Sequence, residues 1–209
     1  MKKRIKILLL LLFISAINFG QSSIKYFIKG GLNSSNTDFH IIENGRSSIR
    51  EFDNRNSFYV GTGFEVLLSS KQNDLLFQVA LVYSEQGWVY HYTDLGDYVI
   101  HELNQINLPI IIKKRILTNL FAITGCYLGH VIHSKEKSDD NPNRFEIEGY
   151  KNFDAGLVLG LEYKFKFGGF LETKYMYGLA DVSKVSYPSS FIEHEYKNRI
   201  IQIGIGFQF

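Results

Sequence analysis

The chain has 209 residues and a mass of 24.1 kDa, the size of one domain with at most a short appendage. Its 23 Lys and Arg against 21 Asp and Glu leave a formal charge of +2, too balanced for a protein that holds nucleic acid by bulk charge. The single cysteine, Cys126, excludes an internal disulfide framework and a CxxC metal site, while 17 Phe, 13 Tyr, 18 Gly and only three Pro favour ordered strands.

Residues 1–20 read as a secretory signal peptide. Lys2, Lys3, Arg4 and Lys6 precede the apolar run Ile7–Ile17, and small or polar residues follow from Asn18 to Ser23. Eleven helical residues rise only about 16 Å, too short to span a bilayer. Removal of this segment leaves 19 Lys and Arg against 21 Asp and Glu, so the basicity belongs to the leader. Residues 21–209 form the second unit.

From there on, period-two alternation dominates. The segment 24–33 sets Ile24, Tyr26, Ile28 and Leu32 against Lys25, Phe27, Lys29 and Asn33; 57–67 sets Phe58, Val60, Phe64 and Val66 against Tyr59, Gly61, Gly63 and Glu65. Segments 75–86 and 104–113 continue the pattern, with Pro109 suggesting a bulge because it lacks a ladder donor. Segment 119–132 is ambiguous, since both of its faces are apolar or small. Segments 153–167 and 170–180 alternate clearly, and the last sets Ile201, Ile203, Ile205, Phe207 and Phe209 against Gln202, Gly204, Gly206 and Gln208.

Eight strands result, joined alternately by short turns (69–74, 114–118 and 168–169) and long polar connections (34–56, 87–103, 133–150 and 181–197). That is the layout of an all-β, closed, eight-stranded, antiparallel up-and-down transmembrane β-barrel, with both ends of the mature chain on the short-turn, periplasmic side. Alternation alone does not say which face meets lipid, and a soluble lipocalin-like barrel would turn the apolar face inward around a ligand. The opposite face carries Lys25, Lys29, Glu65, Asp154, Glu162, Lys164, Lys166, Glu172 and Lys174, mixed in sign as a self-neutralising lumen requires. The apolar segments also have the length of a tilted membrane strand. The expected site is therefore a structural charge network in the lumen. The ending on Phe207 and Phe209 resembles the C-terminal signal read by barrel-assembly machinery.

Several motifs carry a family resemblance: Gly30-Gly31-Leu32-Asn33, Leu81-Val82-Tyr83-Ser84-Glu85-Gln86-Gly87, Ile106-Asn107-Leu108-Pro109-Ile110, the run Phe153–Tyr163, and Lys197-Asn198-Arg199. In order and spacing they resemble the PorT-like outer-membrane β-barrel family of the Bacteroidota. The resemblance implies an eight-stranded outer-membrane barrel in a Gram-negative cell. The founding member is required for type IX protein secretion, which implies an accessory role in secretion; most relatives have no assigned role.

Other chemistry is thinly marked. His91, His101, His130 and His133 fall near the outer rim, where with Glu85 or Asp97 they could approach a metal, although His130 and His133 are three apart and tend to opposite faces. A rim enzyme acting on lipid would need a nucleophile, base and acid such as Ser84, His91 and Glu85, or Ser134 with His133; GxSxG is absent. No phosphate-loop pattern occurs. Residues 135–144 read as a flexible surface loop, and Cys126 as a buried strand residue. The expectation is a non-enzymatic barrel without cofactor or metal. Its partners are outer-membrane lipid, the assembly machinery and, through the loops, an envelope protein, with no role for nucleic acid.

Overall fold

The computed structural model describes residues 24–43, 46–69, 74–91, 98–138, 145–146, 151–182 and 192–209. Residues 1–20, expected to be a signal peptide, and Asp97 lie outside them. The strands are β1 (Lys25–Glu43), β2 (Arg46–Glu51), β3 (Asp53–Ser69), β4 (Leu75–His91), β5 (Tyr98–Leu117), β6 (Leu120–Ser138), β7 (Phe145–Glu146), β8 (Phe153–Lys164), β9 (Gly169–Gly178) and β10 (Ile192–Gln208). Eight of them close an antiparallel ring in the order β1-β3-β4-β5-β6-β8-β9-β10, with β10 returning to β1 from Phe27↔Gln208 to Glu43↔Ile192. Tyr26 and Phe209 exchange both backbone hydrogen bonds, at 3.0 and 2.8 Å, so the seam is paired to its last residue. Closure leaves the ring of eight staves without a free first or last strand, as a hydrocarbon environment demands.

β2 continues the stave of β3 across Phe52: β1 pairs with β3 up to Ser35↔Arg55 and with β2 from Asp38↔Glu51. β7 pairs the top of β6.

The apolar faces point outward. Leu32 is 70% exposed and Ile205 68%, with Ile28, Val60, Leu81, Leu159 and Ile203 also bare. Inside, Lys29, Glu65, Gln78, Lys113, Glu162, Glu172, Lys174 and Gln202 are buried. A continuous apolar exterior over a charged interior inverts the usual arrangement of a water-soluble protein and suits a barrel in lipid. It is also the opposite of what a lipocalin-like ligand barrel requires.

Three sequence expectations change. The stretches 34–56 and 87–103, read as loops, are in large part strand, and so are residues 133–138 and 145–146 of the stretch 133–150. β1 runs to Glu43, β4 to His91, β5 starts at Tyr98, and β6 reaches Ser138, where it still pairs with Val99. The barrel wall therefore rises well above its apolar belt as a crown. Of the supposed loop 135–144, residues 135–138 belong to β6. Alternation does not mark the crown, because its outward side chains turn polar (Ser34, Asn36, Asn56, Glu85, Asn104). The second change is at Pro109, where no bulge forms. Val79↔Ile110 and Val82↔Asn107 keep one register on one side, and Pro109 faces Tyr127 regularly on the other.

Third, the interior is not purely polar. Ile111, Ile123, Tyr127, Val158, Met176 and Ile200 cluster on one side, and Phe27, Tyr59, Ala80, Val82 and Phe170 on the other. An eight-stranded bore is filled by side chains, and apolar ones fill it as well as charges do. This resolves the ambiguous segment 119–132. Phe121, Ile123, Tyr127 and Val131 point in, and Thr124, Cys126 and Leu128 point out. Cys126 is exposed on the outer wall, not buried.

Candidate functional site

The strongest constellation of chemistry-bearing side chains is the charge network across the bore. Lys113 of β5 stands between two carboxylates, donating to Glu65 Oε2 of β3 at 2.8 Å and Glu162 Oε2 of β8 at 2.6 Å. Lys164 of β8 also bonds Glu65, and Gln208 donates to the same carboxylate at 3.0 Å. A second knot centres on Glu172 of β9. It meets Lys29 of β1 at 3.2 Å, Lys174 at 2.8 Å, and the hydroxyl of Tyr59 at 2.8 Å.

Glu162 and Glu172 are register partners on adjacent strands, a placement that repels if nothing intervenes. Lys29 of β1, Lys113 of β5 and Lys174 of β9 itself supply the compensation. Charges taken out of water persist only when paired and hydrogen-bonded this closely. The result is a crosslinked stopper that ties β1, β3, β5, β8 and β9 together.

Glycines make space for it. A Cβ at Gly204 would lie 2.0 Å from the Tyr59 hydroxyl, and one at Gly206 would lie 2.1 Å from the Phe170 ring. Both large side chains fold across the bore over bare backbone.

Not every expected member joins the network. Lys25 is exposed at the short-turn mouth, lining a pocket with Asp74, Arg115 and Lys164. Asp154 sits higher, away from the lysines, where Tyr127 (3.1 Å), Asn198 (2.8 Å) and Gln105 (3.3 Å) all donate to its Oδ2. Lys166 lies beyond the end of β8, exposed. Lys113, the most connected cation, was absent from the expected set although it shares the inward parity of Gln105 and Asn107. Phe207 and Phe209 are 45% and 67% exposed, the former on the outer wall beside the seam.

Above the belt, the crown has its own core: Trp88, Leu103 and Val131, with Phe52 and Tyr196 packed against them. Trp88 stacks on His101 (centroids 4.9 Å, 19° between planes), and burial pushes the His101 imidazole down to about 4. Arg55 reaches Glu85 at 3.6 Å and Glu102 at 3.5 Å. One extra residue in β3, between Asn54 and Tyr59, interrupts the β3–β4 ladder. Asn33 bridges the interruption, donating to Phe58 O, Ser84 Oγ and Glu85 O.

The rim candidates do not assemble. Ser84 is fully buried in the wall, Glu85 faces outward to Arg55, and His91 is exposed beside Asp53 at 3.1 Å. His133 and Ser134 are neighbours on one strand. A bulge in β6 sets His130 opposite Ile106 and His133 opposite Asn104, two apart on β5, so the two histidines share the outer face. Among the described residues no three His, Cys, Asp or Glu side chains converge on a metal position.

A family model for the outer membrane protein beta-barrel domain matches residues 19–184. No curated protein matches. Solved structures similar to this chain include neisserial surface protein A (10% identity, 88% of this chain and 97% of that one, TM-score 0.48). Two others are the attachment invasion locus protein Ail of Yersinia pestis (13%, 90% and 99%, 0.41) and OprG of Pseudomonas aeruginosa (13%, 91% and 98%, 0.41). With its closed ring of eight staves and apolar exterior, the chain belongs to the outer membrane protein beta-barrel domain family.

Proposed function

We propose that this outer-membrane barrel works as a closed anchor whose crown engages another envelope protein, in the manner of an accessory subunit of a secretion machine as in its PorT-like resemblance. The observation that carries this reading is the stopper. Lys113 held by Glu65 and Glu162, and Glu172 held by Lys29 and Lys174, fill the bore with paired charge, so solute passage is a poor use for it. What remains available is the outer wall and the tall crown. A crown braced by a Trp88-centred core offers a more rigid recognition surface than four free loops would.

In this account residues 1–20 direct export and are removed. The assembly machinery reads the Phe207/Phe209 end, the short turns face the periplasm, and the crown faces outward. The dispersal of Ser84, Glu85, His91 and His133 weighs against a rim enzyme.

The test is mild-detergent extraction with crosslinking from single cysteines placed in the crown, beside conductance in planar bilayers. A stable envelope partner captured by crown positions and no steady pore are expected. Steady conductance, or a monomer that no crown position crosslinks, would reject the reading.

A further inference from the structure

Asp154 differs from the other carboxylates inside the barrel. Glu65, Glu162 and Glu172 each lie against lysine. Asp154, 0% exposed, receives three neutral side-chain donors, all on Oδ2, with the Ala155 backbone N–H close by, and its Oδ1 has no hydrogen-bond partner. A buried carboxylate without a counter-charge is costly.

Two more side chains beside it hold unpartnered polar atoms: Gln105 at Oε1, and Asn107 at both Nδ2 and Oδ1, with Oδ1 the end nearer Gly129; they are 0% and 1% exposed. The Gln105 amide is oriented by its own Nε2, which donates to Asp154, so its oxygen is the free end. Gly129 of β6 lies between the two strands concerned, opposite Asn107 of β5 and Asp154 of β8. A Cβ there would stand 2.6 Å from Asn107 Oδ1, 2.8 Å from Gln105 Oε1 and 3.2 Å from Asp154 Cβ. The absent side chain thus leaves a niche on which two amide oxygens converge beside a carboxylate.

We propose that this niche binds one monovalent alkali cation, through Gln105 Oε1, Asn107 Oδ1 and the Asp154 carboxylate. An all-oxygen set selects hard cations over transition metals. One carboxylate matches a single charge, whereas calcium takes more oxygens, with carboxylates prominent among them. A water has too few hydrogens for three acceptors. The ion joins β5 and β8 across Gly129 of β6 at the foot of the crown, and through Asn198, which donates to Asp154, also β10.

The experiment measures thermal unfolding of the detergent-purified barrel, by heat-dependent gel mobility, in sodium or potassium chloride against choline chloride at equal ionic strength. An alkali ion should raise the folded-to-unfolded ratio by one plus its concentration over its Kd, about tenfold at ten times Kd. Gly129→Ala and Asp154→Asn should abolish the response. Gly129→Ala should still fold, because the three atoms nearest its methyl are the ends of two flexible side chains and the flank of a third, none of them backbone. Asn107→Ala, which keeps the charge and removes one ligand, should weaken the response and serves if the other two do not fold. Four results would overturn the proposal: a wild type indifferent to the cation, a response to calcium alone, an equal response in the variants, or an Asp154→Asn barrel as stable as wild type in every salt. The last would mean that Asp154 carries a proton.

Discussion

The hydroxyl of Tyr59 occupies the space that a side chain at Gly204 would fill: a Cβ there would lie 2.0 Å from it, and the hydroxyl in turn bonds Glu172 at 2.8 Å. Gly204→Ala must therefore push the phenol off its carboxylate or spread the seam. Overpacking of this kind costs about 1–3 kcal/mol. Tyr59→Phe, which removes one hydrogen bond to a charged group, costs about 1.5–3 kcal/mol. Because both act on one contact, the double variant should fall short of their sum, as read from urea unfolding midpoints in micelles.

Lys113 offers a sharper test of the stopper. Lys113→Met keeps the volume and strips Glu162 of its closest partner, leaving Lys164 at 3.7 Å. Breaking a buried pair by removing one member costs about 3–5 kcal/mol. The expected outcome is a marked fall in unfolding temperature, larger than for Lys25→Met at the exposed mouth. Equal effects would mean that the buried network contributes no more than a surface charge.

The crown should respond to acid through His101. Burial lowers its pKa from 6.5 to about 4, so the folded crown holds the neutral ring while an opened crown takes up a proton. Crown stability is complete above about pH 6.5 and is lost progressively as pH falls toward 4. Trp88, the only tryptophan in the chain, stacks on this ring and reports it. Its emission should titrate with a midpoint nearer 4 than 6.5, and His101→Phe should flatten the curve.

Gly87 tests the crown by geometry. Its φ is +135°, and a Cβ there would lie 1.8 Å from the His101 carbonyl oxygen. Gly87→Ala should cost about 1–3 kcal/mol in strain, borne by the crown. Limited proteolysis should then cut the crown while the membrane-embedded staves stay protected.

Cys126 reports the wall. It points outward between Thr124 and Leu128 at mid-belt. Neither a membrane-permeant nor a charged, impermeant maleimide should label it in intact membranes, because thiols attack as thiolates and hydrocarbon disfavours that charge, and both should label it after unfolding in denaturant. Equal labelling by both in intact membranes would move this stretch out of lipid.

The membrane-spanning staves were legible because one face is uniformly apolar, as in Ile201, Ile203, Ile205 and Phe207 on β10. Parity also assigned Lys29, Glu65, Glu162, Glu172 and Lys174 to the interior, where they are buried. What parity does not carry is height along the bore or position around it. Asp154 shares an inward face with Glu162 yet sits among amides near the crown, and Lys25 shares one with Lys29 yet ends at the mouth. The crown was illegible for a different reason. Above the belt both faces meet water or one another, so no solvent contrast remains to print a pattern on residues such as Ser34, Asn36 and Asn104. Segment 119–132 hid its register because the inner wall is apolar there too, at Phe121, Ile123 and Tyr127.

The Tyr26–Phe209 pairing has a consequence for biogenesis. The partners of β1 lie at the far end of the chain, so the first stave stays half unpaired until the last one arrives. Contacts this distant in sequence form late. Until then each terminal stave exposes a row of free amides and carbonyls that any other strand can template. The seam is thus the point at which a nascent barrel is most open to capture, by a helper that guides closure or by a neighbour that joins it wrongly. An added peptide copying β10 should compete for β1 before closure and have no purchase on the finished ring.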